Sequence, residues 1–119
     1  MSFSKNIEPF VTLELESARI ALSQGDSKSA FTHLENAHVL GQASTKWHTI
    51  THYRMLVWAI SERDARELIG QVLRLLGAIV ITPFGLIPLG NTGGSNVSPF
   101  KPMPIQEEHL RVIDEASST

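Results

Sequence analysis

Glutamate and histidine residues recur in this chain at spacings that helices would turn toward a shared interior. Glu14 falls on the same helical stripe as Phe10, Val11 and Ala18, so its carboxylate is predicted to face the core. Burying a carboxylate costs several kcal/mol unless a cation or hydrogen-bond donors compensate it. The sequence therefore has to supply a partner for Glu14, and a bound metal ion is one such partner.

Two further spacings are typical of metal ligands. Glu35 and His38 are three residues apart, and His48 and His52 are four apart, so each pair projects from one helix face. Imidazole and carboxylate groups suit zinc, iron, manganese or nickel, and a His-x-x-x-His pair can hold one ion. We predict one or two transition-metal ions in the bundle interior, held by six side chains: Glu14, Glu35, His38, His48, His52 and Glu67.

Other polar residues are predicted to support this site. Gln42, Gln71 and Arg74 would orient the ligands. Met55 lies one turn after His52, where its thioether would favour copper, although core packing is the more ordinary role of a methionine. His33 lies toward the other edge of its helix, where a surface role is expected. The residues do not decide whether the site is catalytic, storage or structural.

A metal-free interpretation explains the same residues. Glu14 would then be neutralised by Arg74 or by a histidine, His38 would bond to a main-chain carbonyl, and His48 would lie near solvent. Such a buried polar network is stable when every member has a partner. Both interpretations require the acidic and imidazole groups to meet inside the fold.

Composition excludes several function classes. The chain has 119 residues, no cysteine, a net charge of -2 and only ten lysines and arginines. Thiolate chemistry is thereby excluded, and the thin spread of positive charge argues against nucleic acid as a partner. The N-terminal sequence has no signal pattern, so we expect a soluble cytoplasmic protein.

Helical periodicity predicts an all-α fold. The predicted helices cover residues 7–23, 28–41, 45–61 and 64–79, and a short last helix covers 107–116. Residues 1–81 would form a four-helix domain of two antiparallel hairpins, with 82–119 packed on it as an extended Pro/Gly-rich segment. The core face of the fourth helix is predicted to hold Leu68, Val72, Leu75, Leu76 and Ile79, beside a polar line of Glu67, Gln71 and Arg74.

Residues 75–89 carry no charge. They are fewer than the roughly 20 residues of a membrane-spanning helix and are interrupted by Pro83, Gly85 and Pro88. We interpret them as a buried helix end and a packed loop, and predict no transmembrane segment. A membrane-surface or partner-docking segment is the alternative.

The helical hairpins suggest a second function. LSQGDSKSAFTHLENAHVL is similar to a tetratricopeptide hairpin, and WAISERDARELIGQVLRL is a weaker echo of it. This similarity implies a metal-free protein-interaction module or dimeric adaptor. Trp47 and Trp58 would then be candidates for a homodimer face.

Four segments together resemble an uncharacterised bacterial family, the domain of unknown function 3703. They are HLENAHVLGQ (33–42), HTITHYRML (48–56), RDARELIGQVLRL (63–75) and GNTGGSNVSPFKPMPI (90–105). The resemblance implies a stand-alone domain of about this length and supplies no activity. It covers the six candidate ligands, and departs from the family's HLERAH form at Asn36.

The glycine-rich loop Gly90–Asn96 admits three interpretations. Its consecutive main-chain N–H groups could form an anion-binding nest, although the Lys-Ser/Thr of a phosphate-binding loop is missing. A structural turn, in which Asn91 and Asn96 tie the C-terminal segment to the bundle, is the ordinary expectation. The third interpretation makes the loop a lid over the metal pocket.

Overall fold

The computed structural model describes residues 2–118, and this part of the chain is all-α, as predicted. It contains α1 (Phe3–Ser23), α2 (Ser27–Gly41), α3 (Thr45–Glu62), α4 (Ala65–Ile81), one turn of 3-10 helix (Thr82–Phe84) and α5 (Glu107–Ser117). Helix α1 packs on α2, α2 on α3, and α3 on α4, while α5 covers α1 and α2. The tetratricopeptide-like form of the hairpins stays a prediction.

Polar caps set where the helices begin. The side chains of Ser2, Asp26, Ser44 and Asp64 each accept a hydrogen bond from a main-chain N–H in the first turn of α1, α2, α3 and α4 respectively. Helix α1 begins four residues earlier than predicted because of its serine cap. Pro9 consequently lies inside the helix rather than in its first turn.

The apolar core lies between α1, α2 and α3. Ile7 and Val11 of α1 are fully buried, and they pack with Leu34 and Ala37 of α2. The α2–α3 corner is tight, because a Cβ atom at Gly41 would come within 2.7 Å of the Trp47 Cβ. This close approach holds α2 and α3 at the distance that their histidines require.

Helix α4 turns a different side inward from the one predicted. Val72, Leu76 and Ile79 are exposed, whereas Glu67, Gln71 and Ala78 are buried. The predicted apolar core face of α4 is therefore wrong for these three residues, Leu68 and Leu75 are half-buried, and the polar line is the inward side. Burying these polar groups is tolerated because each finds hydrogen-bond partners in α3 or in the C-terminal segment.

Residues 75–89 are not the packed segment that was expected. Most of their large apolar side chains are exposed: Leu76, Ile79, Val80, Ile81, Phe84, Leu86 and Leu89. By length and composition alone, Ala65–Phe84 could cross a membrane, and only 22% of its most apolar window is buried. The absence of a transmembrane segment stays a prediction.

The C-terminal segment is fastened to the bundle through main-chain hydrogen bonds. Gln42, which follows the last residue of α2, donates from Nε2 to the Pro88 carbonyl and accepts from the Gly90 N–H. The Asn91 side chain donates to the carbonyls of Ser98 and Lys101. The Gln42 bonds hold the start of this segment at the C-terminal end of α2, and the Asn91 bonds fix the conformation of the segment itself.

Candidate metal centre

Three buried histidines meet where α2, α3 and the C-terminal segment converge. His38 comes from α2, and His48 and His52 lie one turn apart on α3. Their exposed fractions are only 2%, 7% and 3%. Within residues 2–118 they form the one group of three or more potential ligands whose donor atoms all lie within 4.8 Å of one another.

The Nε2 atoms of the three rings point at one another. His52 Nε2 lies 3.0 Å from His38 Nε2 and 3.2 Å from His48 Nε2. Imidazole nitrogens bound tetrahedrally to zinc at about 2.0–2.1 Å are about 3.3 Å apart. The two Nε2 pairs that include His52 are therefore close to the spacing of ligands in a tetrahedral zinc site.

Hydrogen bonds at Nδ1 decide which ring nitrogens carry protons. His38 Nδ1 lies 2.7 Å from the Asn91 carbonyl, which can only accept, so we assign the proton to this nitrogen. His52 Nδ1 lies 2.6 Å from Gln71 Oε1 and is also the donor. Both neutral rings consequently aim a bare Nε2 lone pair into the cluster, only 3.0 Å apart.

The amide of Gln71 is fixed in this orientation by its own partners. Its Nε2 donates to Glu67 Oε2 at 2.7 Å and to the Gly93 carbonyl at 2.8 Å, which leaves Oε1 to accept from His52. Glu67 in turn accepts from the Ser95 N–H. The resulting chain from carboxylate to amide to imidazole orients a ligand in the way that outer partners of metal-bound histidines do.

The third ring, that of His48, has a partner that can either donate or accept a hydrogen bond. His48 Nδ1 lies 2.7 Å from the Thr82 hydroxyl, which can donate or accept. His48 can therefore offer its Nε2 lone pair to an ion without losing its Nδ1 hydrogen bond.

Burial makes protonation of these rings unfavourable, so a proton is not the cation that would hold them together. Burial, with a smaller contribution from the neighbouring His52, lowers the pKa of His48 to about 3. Burial likewise lowers the pKa of His52 to about 4, against the Gln71 hydrogen bond. Burial, with His52 and His48 nearby, also puts the pKa of His38 well below its ordinary value. The rings are neutral at pH 7, which is the form that binds metals.

The loop of residues 90–96 lies directly against the cluster. Gly93 has a φ of +85°, and a Cβ atom built there would lie 2.5 Å from Cδ2 of His38. On α4, a Cβ atom at Gly70 would collide with the Ser95 side chain. Glycine at both positions lets the loop and α4 close around the histidines, and the loop covers one side of the site.

Of the three carboxylates predicted as ligands, none lies among the three Nε2 atoms. Glu14 Oε2 is 2.7 Å from His33 Nδ1 and 3.4 Å from Asn36 Nδ2, so the structure places it in a separate partly buried pair. Glu67 reaches the cluster only through Gln71. Glu35 is half-buried and hydrogen-bonded to Thr92. Burial, with a smaller contribution from the charge of Glu67, raises the pKa of Glu35, although the Thr92 hydrogen bond lowers it.

The other sequence interpretations have mixed outcomes. Met55 is fully buried in the apolar core, in the packing role. Gln71 orients His52, whereas Gln42 and Arg74 bond to main-chain carbonyls of the C-terminal segment. Two partners of the rings, Thr82 and the Asn91 carbonyl, were not predicted, because no spacing signal in the sequence connects them to the histidines.

The cluster opens onto one pocket. All three histidines line it, and its volume is about 620 Å³. Beyond the rings its walls are mainly apolar, and they come from α4 and the C-terminal segment: Leu73, Gly77, Ala78, Ile81, Leu86, Ile87, Pro88, Pro99 and Phe100. An ion on the three Nε2 atoms would therefore face this pocket with any remaining coordination position.

Comparison with known proteins identifies the family. Residues 5–113 match the family described as "Protein of unknown function (DUF3703)". The chain belongs to this family. The resemblance seen in the sequence is thereby confirmed. No curated protein and no solved structure matches the chain.

Proposed function

We propose that this protein binds one transition-metal ion, with zinc as the first candidate, through the Nε2 atoms of His38, His48 and His52. The observation that carries the proposal is the pair of bare lone pairs, 3.0 Å apart, on His38 and His52. Two buried acceptors facing each other repel unless a cation lies between them. Since burial disfavours the proton, a metal ion is the cation that fits.

The donor set supports a single ion. Three imidazoles suit zinc, copper, iron or nickel better than manganese, which prefers carboxylate and water oxygens. A second ion would need further ligands, and Glu14 of the predicted set lies with His33 instead.

The proposed site is of the open type. Three protein ligands leave a fourth position of tetrahedral zinc for water or another ligand, as in catalytic rather than structural zinc sites. When bound, the ion would lower the pKa of a coordinated water toward neutrality and so supply a nucleophile. This chain's residues hold the three rings neutral and oriented, and the apolar walls of the pocket limit the water around the open position.

Metal content tests the proposal directly. Protein purified without a nickel column is expected to carry about one metal ion per chain by plasma mass spectrometry. The His48→Ala/His52→Ala double variant is expected to carry none. His33→Ala is the matched control, because it removes an imidazole from α2 outside the cluster and should leave metal content unchanged.

Stability supplies a second readout. Zinc at 100 times its Kd stabilises a folded protein by about 2.7 kcal/mol, so chelation should lower the melting temperature of the wild type. The double variant should melt at the same temperature with and without chelator. A wild type that is metal-free, takes up no added zinc and ignores chelator would contradict the proposal.

A further inference from the structure

The metal pocket, defined by the residues that line it beside the three histidines, has features that select a ligand. Its volume of about 620 Å³ lies in the middle of the range for small-molecule sites. Its apolar walls include exposed side chains of α4 and of the C-terminal segment, among them Leu73, Leu86 and Phe100. An apolar molecule in the pocket would remove these side chains from water.

Charge in the pocket has one sign. Arg74 is the one charged side chain among the described residues that line it. The guanidinium donates to the carbonyls of Gly70 and Val97, which hold it beside the pocket, and its buried Nε has no hydrogen-bond partner. The acidic residues nearest the cluster, Glu35 and Glu67, do not line the pocket. A divalent ion on the histidines would add to the positive potential of Arg74.

We infer that the metal pocket binds an apolar monocarboxylate, with the carboxylate at the open metal position beside Arg74 and the hydrocarbon part along the apolar walls. This inference rests on the proposed metal site. A carboxylate can coordinate the metal ion and is attracted by the positive potential of Arg74, and an apolar tail can pack against the apolar walls. A polar or highly charged ligand would make no apolar contacts with those walls.

Cobalt reports both the binding of the metal ion and the binding of the carboxylate. The visible absorption of Co²⁺ bound in place of zinc shows first whether the site loads, and then shifts when an anion enters the open position. Titration of the cobalt protein with acetate, hexanoate and octanoate measures a Kd for each carboxylate. Each methylene group buried tightens binding up to about fourfold, so octanoate should bind at least about tenfold more tightly than acetate.

Octanamide tests the head group on the same protein. It has the same tail and no charge, and we expect it to bind about tenfold more weakly than octanoate. Equal binding of the amide and the carboxylate would overturn the anionic part of the inference.

Substitution of Gly77 tests the location. Gly77 lines the pocket and a Cβ atom built there meets nothing within 4 Å, so Gly77→Leu adds a side chain to the pocket wall whose first carbon has free space. This variant should load cobalt and bind acetate normally but lose the gain from acetate to octanoate. Val80→Leu is the matched control, since Val80 is exposed on the same helix and does not line the pocket. It should behave as the wild type.

The outcomes separate the two proposals. Cobalt uptake with equal affinity for acetate and octanoate overturns the carboxylate inference and leaves the metal site standing. Failure to load cobalt or zinc overturns both. Sedimentation of the same samples covers another occupant: a dimer that excludes octanoate would show that a second copy of the chain fills the pocket mouth, and would also overturn the inference.

Discussion

The interface between α1 and α2 and the interface between α3 and α4 are built on opposite principles. Ile7, Val11 and Leu34 make the buried core of the first interface apolar, and its polar Glu14–His33 pair is only partly buried. The second buries His52, Gln71 and Glu67, and most of the apolar residues of α4 remain on its other sides. Apolar burial stabilises the first interface under almost any solution condition. The second is stable only while each polar group keeps its partner, so its strength depends on protons and metal.

The largest expected effect on this comparison comes from a substitution that creates a cavity in the apolar interface between α1 and α2. Ile7 is fully buried, and Ile7→Ala should reduce the free energy of unfolding by about 2–5 kcal/mol. Urea denaturation with and without chelator measures the loss, which should be the same in both conditions. Folded variant protein should still bind one metal ion. Loss of metal binding in folded Ile7→Ala protein would show that the two interfaces are not independent.

Acid should act on the polar interface and spare the apolar one. Burial lowers the pKa values of His48 and His52 to about 3 and about 4, below the ordinary value of about 6.5 that they regain on unfolding. Between these values the unfolded chain binds more protons, so stability falls as the pH falls through this window. From pH 6.5 to 5.5 the metal-free protein should lose about 1 kcal/mol for each of the two histidines.

The matched measurement for acid is the same pH series on the His48→Ala/His52→Ala variant. Urea denaturation in chelator should show a loss smaller by about 2 kcal/mol over this pH range. An identical pH dependence in the two proteins would mean that these histidines are not buried as neutral rings.

Gly93→Ala should disturb the contact between the loop and His38. The new Cβ atom would lie 2.5 Å from His38 Cδ2, and the φ of +85° is unfavourable for alanine. Strain of about 1–2 kcal/mol is expected from the backbone alone, with a further loss of metal affinity from movement of the ring. Gly25→Ala separates the two causes, because Gly25 has a φ of +78° and nothing within 4 Å of the added atom. Isothermal titration with zinc should therefore detect weaker binding only in Gly93→Ala.

Glu67→Gln should give a smaller and more specific effect. The carboxylate orients His52 through Gln71, and loss of such an outer partner typically lowers metal affinity about 10- to 100-fold. Glu14→Gln is the comparison, because Glu14 pairs with His33 and should leave zinc affinity unchanged. A larger loss in Glu14→Gln than in Glu67→Gln would return Glu14 to the metal site and contradict the geometry described above.

Much of the local structure was predictable from the sequence. The helix starts follow from polar caps such as Asp26 and Ser44, and the histidine spacings place His48 and His52 on one inward stripe of α3. The inward side of α4 was not predictable by the same argument. Hydrophobic periodicity favours Val72 and Leu76 as core, and it fails because the neighbours of α4 present hydrogen-bond partners to Gln71 and Glu67.

The sequence by itself determined that the fold is helical and that imidazoles share helix faces, because caps and periodicity act over one or two turns. Only the tertiary structure decided which polar residues meet. The Asn91 carbonyl that fixes the His38 tautomer lies 53 residues along the chain, and every residue has such a carbonyl. Glu14 shows a related limit. Helical spacing predicts that Glu14 lies on the same side of α1 as Val11, but it does not predict which residue packs against Glu14. Packing between distant segments supplied those partners, and it brought three imidazoles together without the carboxylates.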